Sequence, residues 1–140
     1  MRIFIDTNVL ADTMVKREDN GFSIDAVNLM SSFNDLPVTL YASAVSIPTL
    51  AYLIKGVAPE IKKYSIKKLL KVIDILPSHK KHVDAALNGN WHDIEDAMQY
   101  ACAVENACDL IITRDVRDYR DSQIPVMTPS EFLAAITEPS

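Results

Sequence analysis

Acidic residues stand at two places where a parallel sheet would present them. Asp6 ends the run Ile3-Phe4-Ile5 and is followed at once by Thr7 and Asn8, and Asp115 closes "LIITRD". Short β-branched and aromatic runs bounded by turn formers are the sequence of buried parallel strands, and α/β sheets place their chemistry at the C-terminal ends of such strands. A third group, Asp93, Glu95 and Asp96 in "WHDIEDAMQYACA", opens the helix that leads into the second of these strands, and the crossover rule packs that helix on the sheet. Helix capping explains part of the pattern: Asp6 suits the cap of a helix from near Val9, and Asp93 and Glu95 suit a helix start, each by a few tenths to about 1 kcal/mol. It explains Asp96 less well, because Asp96 adjoins Ala97, Tyr100 and Ala101 on a helix built for close packing. If Asp6, Asp96 and Asp115 converge, like charges about 4 Å apart repel by roughly 4 kcal/mol per pair at an effective dielectric near 20. A positive partner is then required. An all-oxygen donor set suits Mg²⁺ or Mn²⁺, and water on such an ion can attack a phosphodiester.

The elements that must position these acids follow from the chain's punctuation. Asp19-Asn20-Gly21 breaks the chain before a helix carrying Phe22, Ala26, Val27, Leu29, Met30 and Phe33. Leu36–Tyr41 is a second strand, and Ala44–Ile54 is a helix that Pro48 bends or restarts. Pro59 fits the first turn of a helix to about Leu70, with Ile61, Tyr64, Leu69 and Val72 buried and the lysines outward. Val72–Leu76 is a third strand, and His79–Leu87 a short helix stopped by Asn88-Gly89-Asn90. Ile94–Ala107 is a strong helix, Asp109–Thr113 a fourth strand and Ile124–Met127 an edge strand. Thr128-Pro129-Ser130-Glu131 is a capping box opening a last helix to Ile136. Strands alternating with helices predict a three-layer α/β/α fold with a central parallel sheet of four to five strands. At 140 residues the chain is expected to form a single domain over 1–136, with a frayed tail at 137–140.

"IFIDTNVLAD", "EDAMQYACA", "DLIITRDVRDY" and "TPSEFL", in this order over nearly the whole chain, resemble the PIN domain, the fold of VapC-type toxin ribonucleases and related RNA nucleases. The resemblance implies that Asp6, Asp96 and Asp115 bind the catalytic Mg²⁺ or Mn²⁺ and that Asn8 and Thr113 support the site. It implies an endoribonuclease acting on RNA, an antitoxin protein as partner, and a homodimer. The family pattern usually adds a Glu in a motif like S-x-x-T-x-x-E after the second strand. Here the stretch is "SAVSIPTLAYL": Ser43 and Ser46 fit, Thr49 stands at the Glu position, and no acid lies between Asp35 and Glu60. A hydroxyl brings no charge, so Glu95 or Asp93 would make up part of the loss, or the chain represents a subgroup with a neutral residue there. A catalytically weak module that binds RNA or a protein partner is the alternative from another functional class.

Composition narrows the remaining classes. The net charge of −5 argues against a broadly basic protein that coats nucleic acid, yet eight lysines fall between Lys55 and Lys81 against Glu60 and Asp74 alone. Such a stretch is a solvated face or a contact for RNA phosphates. A receiver-like phosphoacceptor protein is disfavoured, because it needs an acid pair after the first strand and a Lys after the fifth, and no Lys follows Lys81. Cys102 and Cys108 lack metal-ligand spacing and read as buried thiols. His79 and His82, beside Lys80 and Lys81, read as part of a solvated helix face. Trp91 and Tyr119 suit base stacking or the core, and Arg114 and Arg117 suit a phosphate or the neighbouring acids. No apolar run reaches membrane-spanning length and no secretory leader is apparent, so a cytoplasmic protein is expected.

Overall fold

The computed structural model describes residues 1–15 and 21–137. The expected break at Asp19-Asn20 and the end of the expected tail, Glu138 to Ser140, lie outside the described residues. Five strands, β1 (Arg2–Ile5), β2 (Thr39–Ser43), β3 (Asp74–Leu76), β4 (Leu110–Ile112) and β5 (Val126–Met127), form one sheet in the order β3-β2-β1-β4-β5. Every pairing is parallel, with Ile3 opposite Leu40 on one side and Leu110 on the other. β1 is therefore central, and Ile3, Phe4 and Ile5 are fully buried.

The alternation of side chains along β1 divides the core into two. Ile3 and Ile5 pack with Val9 and Leu10 of α1 (Thr7–Met14), Ala26 and Leu29 of α2 (Phe22–Ser32), Leu50 of α3 (Ser46–Leu53) and Phe132 of α7 (Pro129–Thr137). Phe4 packs on the opposite side with Tyr41, Ile111 and with Cys102 and Ala103 of α6 (Ile94–Glu105). The result is the three-layer α/β/α arrangement expected from the alternation of strands and helices. α4 (Pro59–Leu69) and α5 (Lys80–Asn88) complete the helices. Both cysteines are buried free thiols, and no helix among the described residues is long and apolar enough to cross a membrane.

Three local expectations are corrected. β2 begins at Thr39 rather than Leu36, because Phe33–Asp35 forms a 3₁₀ turn that Leu36 caps through its N–H, and Pro37 has no N–H to give a ladder. α6 stops at Glu105, two residues early, as Ala107 turns into the left-handed region at φ 54°. On α4, Ile61 and Tyr64 are exposed, as is Val72 beyond it. Leu69 packs against the core as expected, joined there by Ile66 rather than by Ile61 and Tyr64, and none of the helix's residues is fully buried. The capping box at the start of α7 forms as expected: Glu131 N donates to Thr128 Oγ1 at 3.1 Å and Thr128 N to Glu131 Oε1 at 3.3 Å.

Candidate functional site

Asp6 leaves the C-terminal end of the central strand in extended conformation and caps α1, its Oδ1 accepting from Asn8 N at 2.9 Å. Capping uses only one of its oxygens. Oδ2 accepts from Tyr119 Oη at 2.8 Å and from Thr113 Oγ1 at 3.3 Å, and the whole residue is 3% exposed. Burial pushes its pKa up; the hydrogen bonds from Asn8, Tyr119 and Thr113 pull against that shift, and the charge of Glu95 adds to it. Asn8 thus meets Asp6 through its backbone N–H, and Thr113 through its hydroxyl.

Asp96 sits in the first turn of α6, which Asp93 caps by accepting from Asp96 N at 2.9 Å. Its own carboxylate accepts no hydrogen bond among the described residues. Partial burial, then the charge of Asp6, then those of Asp93, Asp118 and Glu95, push it up to about 8. Asp6 and Asp96 are thus electrostatically coupled. Asp115 lies at the same edge of the sheet, beyond the end of β4, and shares with Asp93, Asp96 and Asp118 a cleft of about 280 Å³. It is turned onto its neighbour: Arg117 grips it with Nε at 3.0 Å and Nη2 at 2.8 Å, and Arg117 N donates to Oδ1 at 3.0 Å. Those bonds hold the Asp115 carboxyl below its ordinary range. As the side chains stand, no three acids, imidazoles or thiols among the described residues surround one point as ligands of a single ion.

The donor set nevertheless fits a hard cation. Two coupled carboxylates, one of them without a hydrogen-bond donor and both pushed toward the protonated form, are the condition that a divalent ion relieves. Asp6 and Asp96 supply that pair. Asp115 stands beside it, engaged with Arg117.

Behind the acids lies a buried polar network that the residue pattern alone did not reveal as a unit. Thr7 Oγ1 lies 2.7 Å from Ser46 Oγ, 2.9 Å from Glu95 Oε2 and 3.2 Å from Gln99 Oε1. Thr49 Oγ1 donates to Glu95 Oε1 at 2.6 Å, so Thr49 faces α6. Gln99 accepts from Thr7 N at 3.2 Å and donates through Nε2 to Tyr119 Oη at 3.3 Å, and that hydroxyl donates onward to Asp6. Gln99 and Ser46 are fully buried. The available signal was spacing: Gln99 is four residues after Glu95 on an otherwise apolar face, where a polar side chain needs a partner.

The other residues singled out divide clearly. Tyr119 is 2% exposed and belongs to this network rather than to a base-stacking surface. Trp91 stacks on Tyr100 at 4.8 Å and meets Tyr119 edge-on at 5.3 Å. His82 is buried, not solvated: its Nδ1 accepts from His79 N at 3.1 Å, so Nε2 carries the proton and faces Glu105. Arg114 pairs with the buried Asp12 at 3.4 Å and lies over Phe22, while Arg117 pairs with Asp115.

Comparison with known proteins agrees with this architecture. The PIN domain family profile matches residues 2–117. Ribonuclease VapC1 of Aquifex aeolicus (strain VF5) is 27% identical over 137 residues, which cover 94% of this chain and 92% of that protein. Among solved structures, a chain of VapBC2 from Rickettsia felis bound to a DNA fragment from their promoter superposes with a TM-score of 0.70 at 14% identity, covering 91% of this chain and 98% of that one. A chain of a toxin-antitoxin complex from Klebsiella pneumoniae gives 0.64 at 20% identity, covering 91% and 97%.

Proposed function

The chain belongs to the PIN domain family, and on that premise we propose that it is a metal-dependent endoribonuclease, the toxin of a type II toxin-antitoxin pair. The coupling of Asp6 to a donor-free Asp96 at the C-terminal edge of the sheet carries this reading. The ribonuclease named among its relatives supports the activity, and the toxin-antitoxin complexes among its structural neighbours support the partner. Asp6 and Asp96 would hold Mg²⁺ or Mn²⁺, with Asp115 joining them by releasing Arg117. When bound, the ion neutralises charge on the phosphate and lowers the pKa of water for attack on phosphorus, the leaving group being a ribose oxygen. Tyr119 and Thr113 fix Asp6 Oδ2, so the buried carboxylate cannot swing away when a cation or phosphate arrives. Asp93 sets the first turn of α6 and thereby the position of Asp96. Arg117, released from Asp115, is available to a substrate phosphate.

The remaining parts of the reading are a homodimer and a cytoplasmic location. Sedimentation at micromolar concentration tests the dimer, which a monomer would refute. Cleavage of RNA in Mn²⁺, abolished by EDTA and by Asp6→Asn, tests the activity; RNA bound but left intact by the wild type would favour a binding module.

A further inference from the structure

The acidic cleft opens into a larger space. Three residues that line it, Asn90, Trp91 and Asp121, also line a groove of about 690 Å³ between α5 and α6. That volume lies within the range of small-ligand pockets, roughly 300–1,000 Å³. The floor is made of methyl groups, from Ala85 on α5 and from Ala97 and Ala101, one turn apart, on α6. Facing alanines ordinarily let two helices close on each other. Here bulky and polar contacts hold them apart. At the far end the buried His82 and Lys81, both on α5, reach Glu105 on α6, Lys81 at 2.9 Å. Toward the cleft, Trp91 stacks on Tyr100 at 4.8 Å, and Tyr100 Oη accepts from Gln123 N at 3.1 Å. The two rings form a fixed wall.

The charges of the groove decide what fits it. Glu105 is met by Lys81 and by the Nε2–H of His82, so the cations of the groove are already engaged and a phosphate finds no partner there. At the rim, the side chains of Asn90, Asp121 and Gln123 make no hydrogen bond among the described residues. An uncharged flat group with polar edges suits an apolar floor, an aromatic wall and a rim of amides. Unpaired RNA bases are such groups, recognised by packing on aromatic rings and by hydrogen bonds to their edges. The phosphate joined to the base would then lie in the adjoining cleft, where Arg117 and Arg120 stand among the acids. We propose that the groove between α5 and α6 holds one unpaired nucleobase of the RNA strand whose phosphate lies in the acidic cleft, with Trp91 and Tyr100 as its wall and the side chains of Asn90 and Gln123 reading its edge. The proposal deepens the ribonuclease reading and rests on it for the strand, but the binding of a base is measured without cleavage.

Trp91 is the only tryptophan of the chain, so its fluorescence reports on this wall. The full chain in EDTA is titrated with the four nucleoside 5′-monophosphates and with ribose 5-phosphate, which has the sugar and phosphate but no base. Saturable quenching by the nucleotides, and none by ribose 5-phosphate, is expected. Ala85→Leu and Ala101→Leu fill the groove from opposite sides, and thermal unfolding identifies which of them is folded. Each should weaken the nucleotides by about tenfold or more, as when the stacking of one base is lost, and raise the KM for RNA. Mn²⁺ affinity should stay at the wild-type value, because neither residue carries an acid. Gln123→Ala should keep the quenching and narrow the differences among the four bases. Equal quenching by ribose 5-phosphate, or wild-type affinity in the folded leucine variants, would overturn the base site. Absence of quenching in the wild type would overturn it too, and a shift in sedimentation of Ala85→Leu would then give the groove to a second copy of the chain. A wild type that binds nucleotides as expected yet leaves RNA intact in Mn²⁺ would uphold the base site and overturn the ribonuclease reading, the groove then serving a module that binds RNA.

Discussion

A carboxylate without a donor, partly withdrawn from water and beside another buried acid, keeps its proton into the alkaline range, and Asp96 is in that position. Its pKa rises from the ordinary 3.8 to about 8 on folding. Between these values the folded chain binds more protons than the unfolded one, so this contribution to stability is fully present below 3.8 and is lost as pH rises to about 8. The metal-free protein, held in EDTA, should therefore melt at progressively lower temperature as pH climbs through this window, and Asp96→Asn should flatten the slope; parallel slopes would contradict the assignment. Mn²⁺ competes with the same proton, so its affinity should increase over that range. Tyr119 gives a second test. Replacing it with Phe removes a donor from Asp6 and the acceptor of Gln99 Nε2, leaving buried polar groups unsatisfied at a cost of about 1–3 kcal/mol in urea unfolding. Asp6 and Asp93 were legible in the sequence because caps act over two or three residues. The bonds to Tyr119 and Gln99 were not, because they span 113 and 92 positions and only the folded sheet brings them together.

Among the elements, α4 shows how a helix can be recognised while its buried face is misread. Pro59 at its start and the apolar spacing identify the helix, but two apolar faces were available. One carries Ile61 and Tyr64, which are exposed; the other packs on the core through Ile66 together with Leu69, the one residue of the expected set that is packed there. The choice depends on the angle at which α4 meets the sheet, which the helical period does not contain. Tyr64→Ala and Ile61→Ala are thus expected to change stability by no more than about 0.5 kcal/mol. Leu50→Ala, in the fully buried face of α3, should cost about 2–5 kcal/mol. Thermal or urea unfolding distinguishes the two sets, and a large loss at Tyr64 would mean that its exposed ring packs in solution on something else. The strands were easier to read, since a buried parallel strand is a short apolar run on both faces, and β1 and β4 are of that kind. Their ends were also informative, because an acid directly after a run buried on both faces marks the sheet edge where side chains are released from the ladder.

At the scale of the molecule, an acidic cleft and a basic helix coexist on a chain of net charge −5. The outer face of α4 exposes Lys63, Lys67 and Lys68 around Tyr64, itself 68% exposed, whereas Lys62 lies along the packed side. An acidic cleft by itself repels RNA, and a divalent ion offsets only the charge within its reach; the Debye length at physiological salt is about 8 Å. Phosphates outside that reach need cations of the protein's own. The exposed face of α4 supplies them in a row, with an aromatic ring among them suited to stacking on an unpaired base. If this face carries the substrate, reversing Lys63, Lys67 and Lys68 to Glu should weaken binding of a non-cleavable single-stranded RNA and reduce the slope of log affinity against log salt by about 0.7 for each phosphate no longer neutralised. Mn²⁺ affinity should not change, because α4 contributes no acid to the pocket. Tyr64→Ala should lower RNA affinity while leaving the salt slope as it was, since stacking releases no counterions. An unchanged slope in the triple variant would reduce the lysine face to solvation and require the substrate to approach the acids from another side, with Arg117 and Arg120 at the cleft as the nearest source of positive charge.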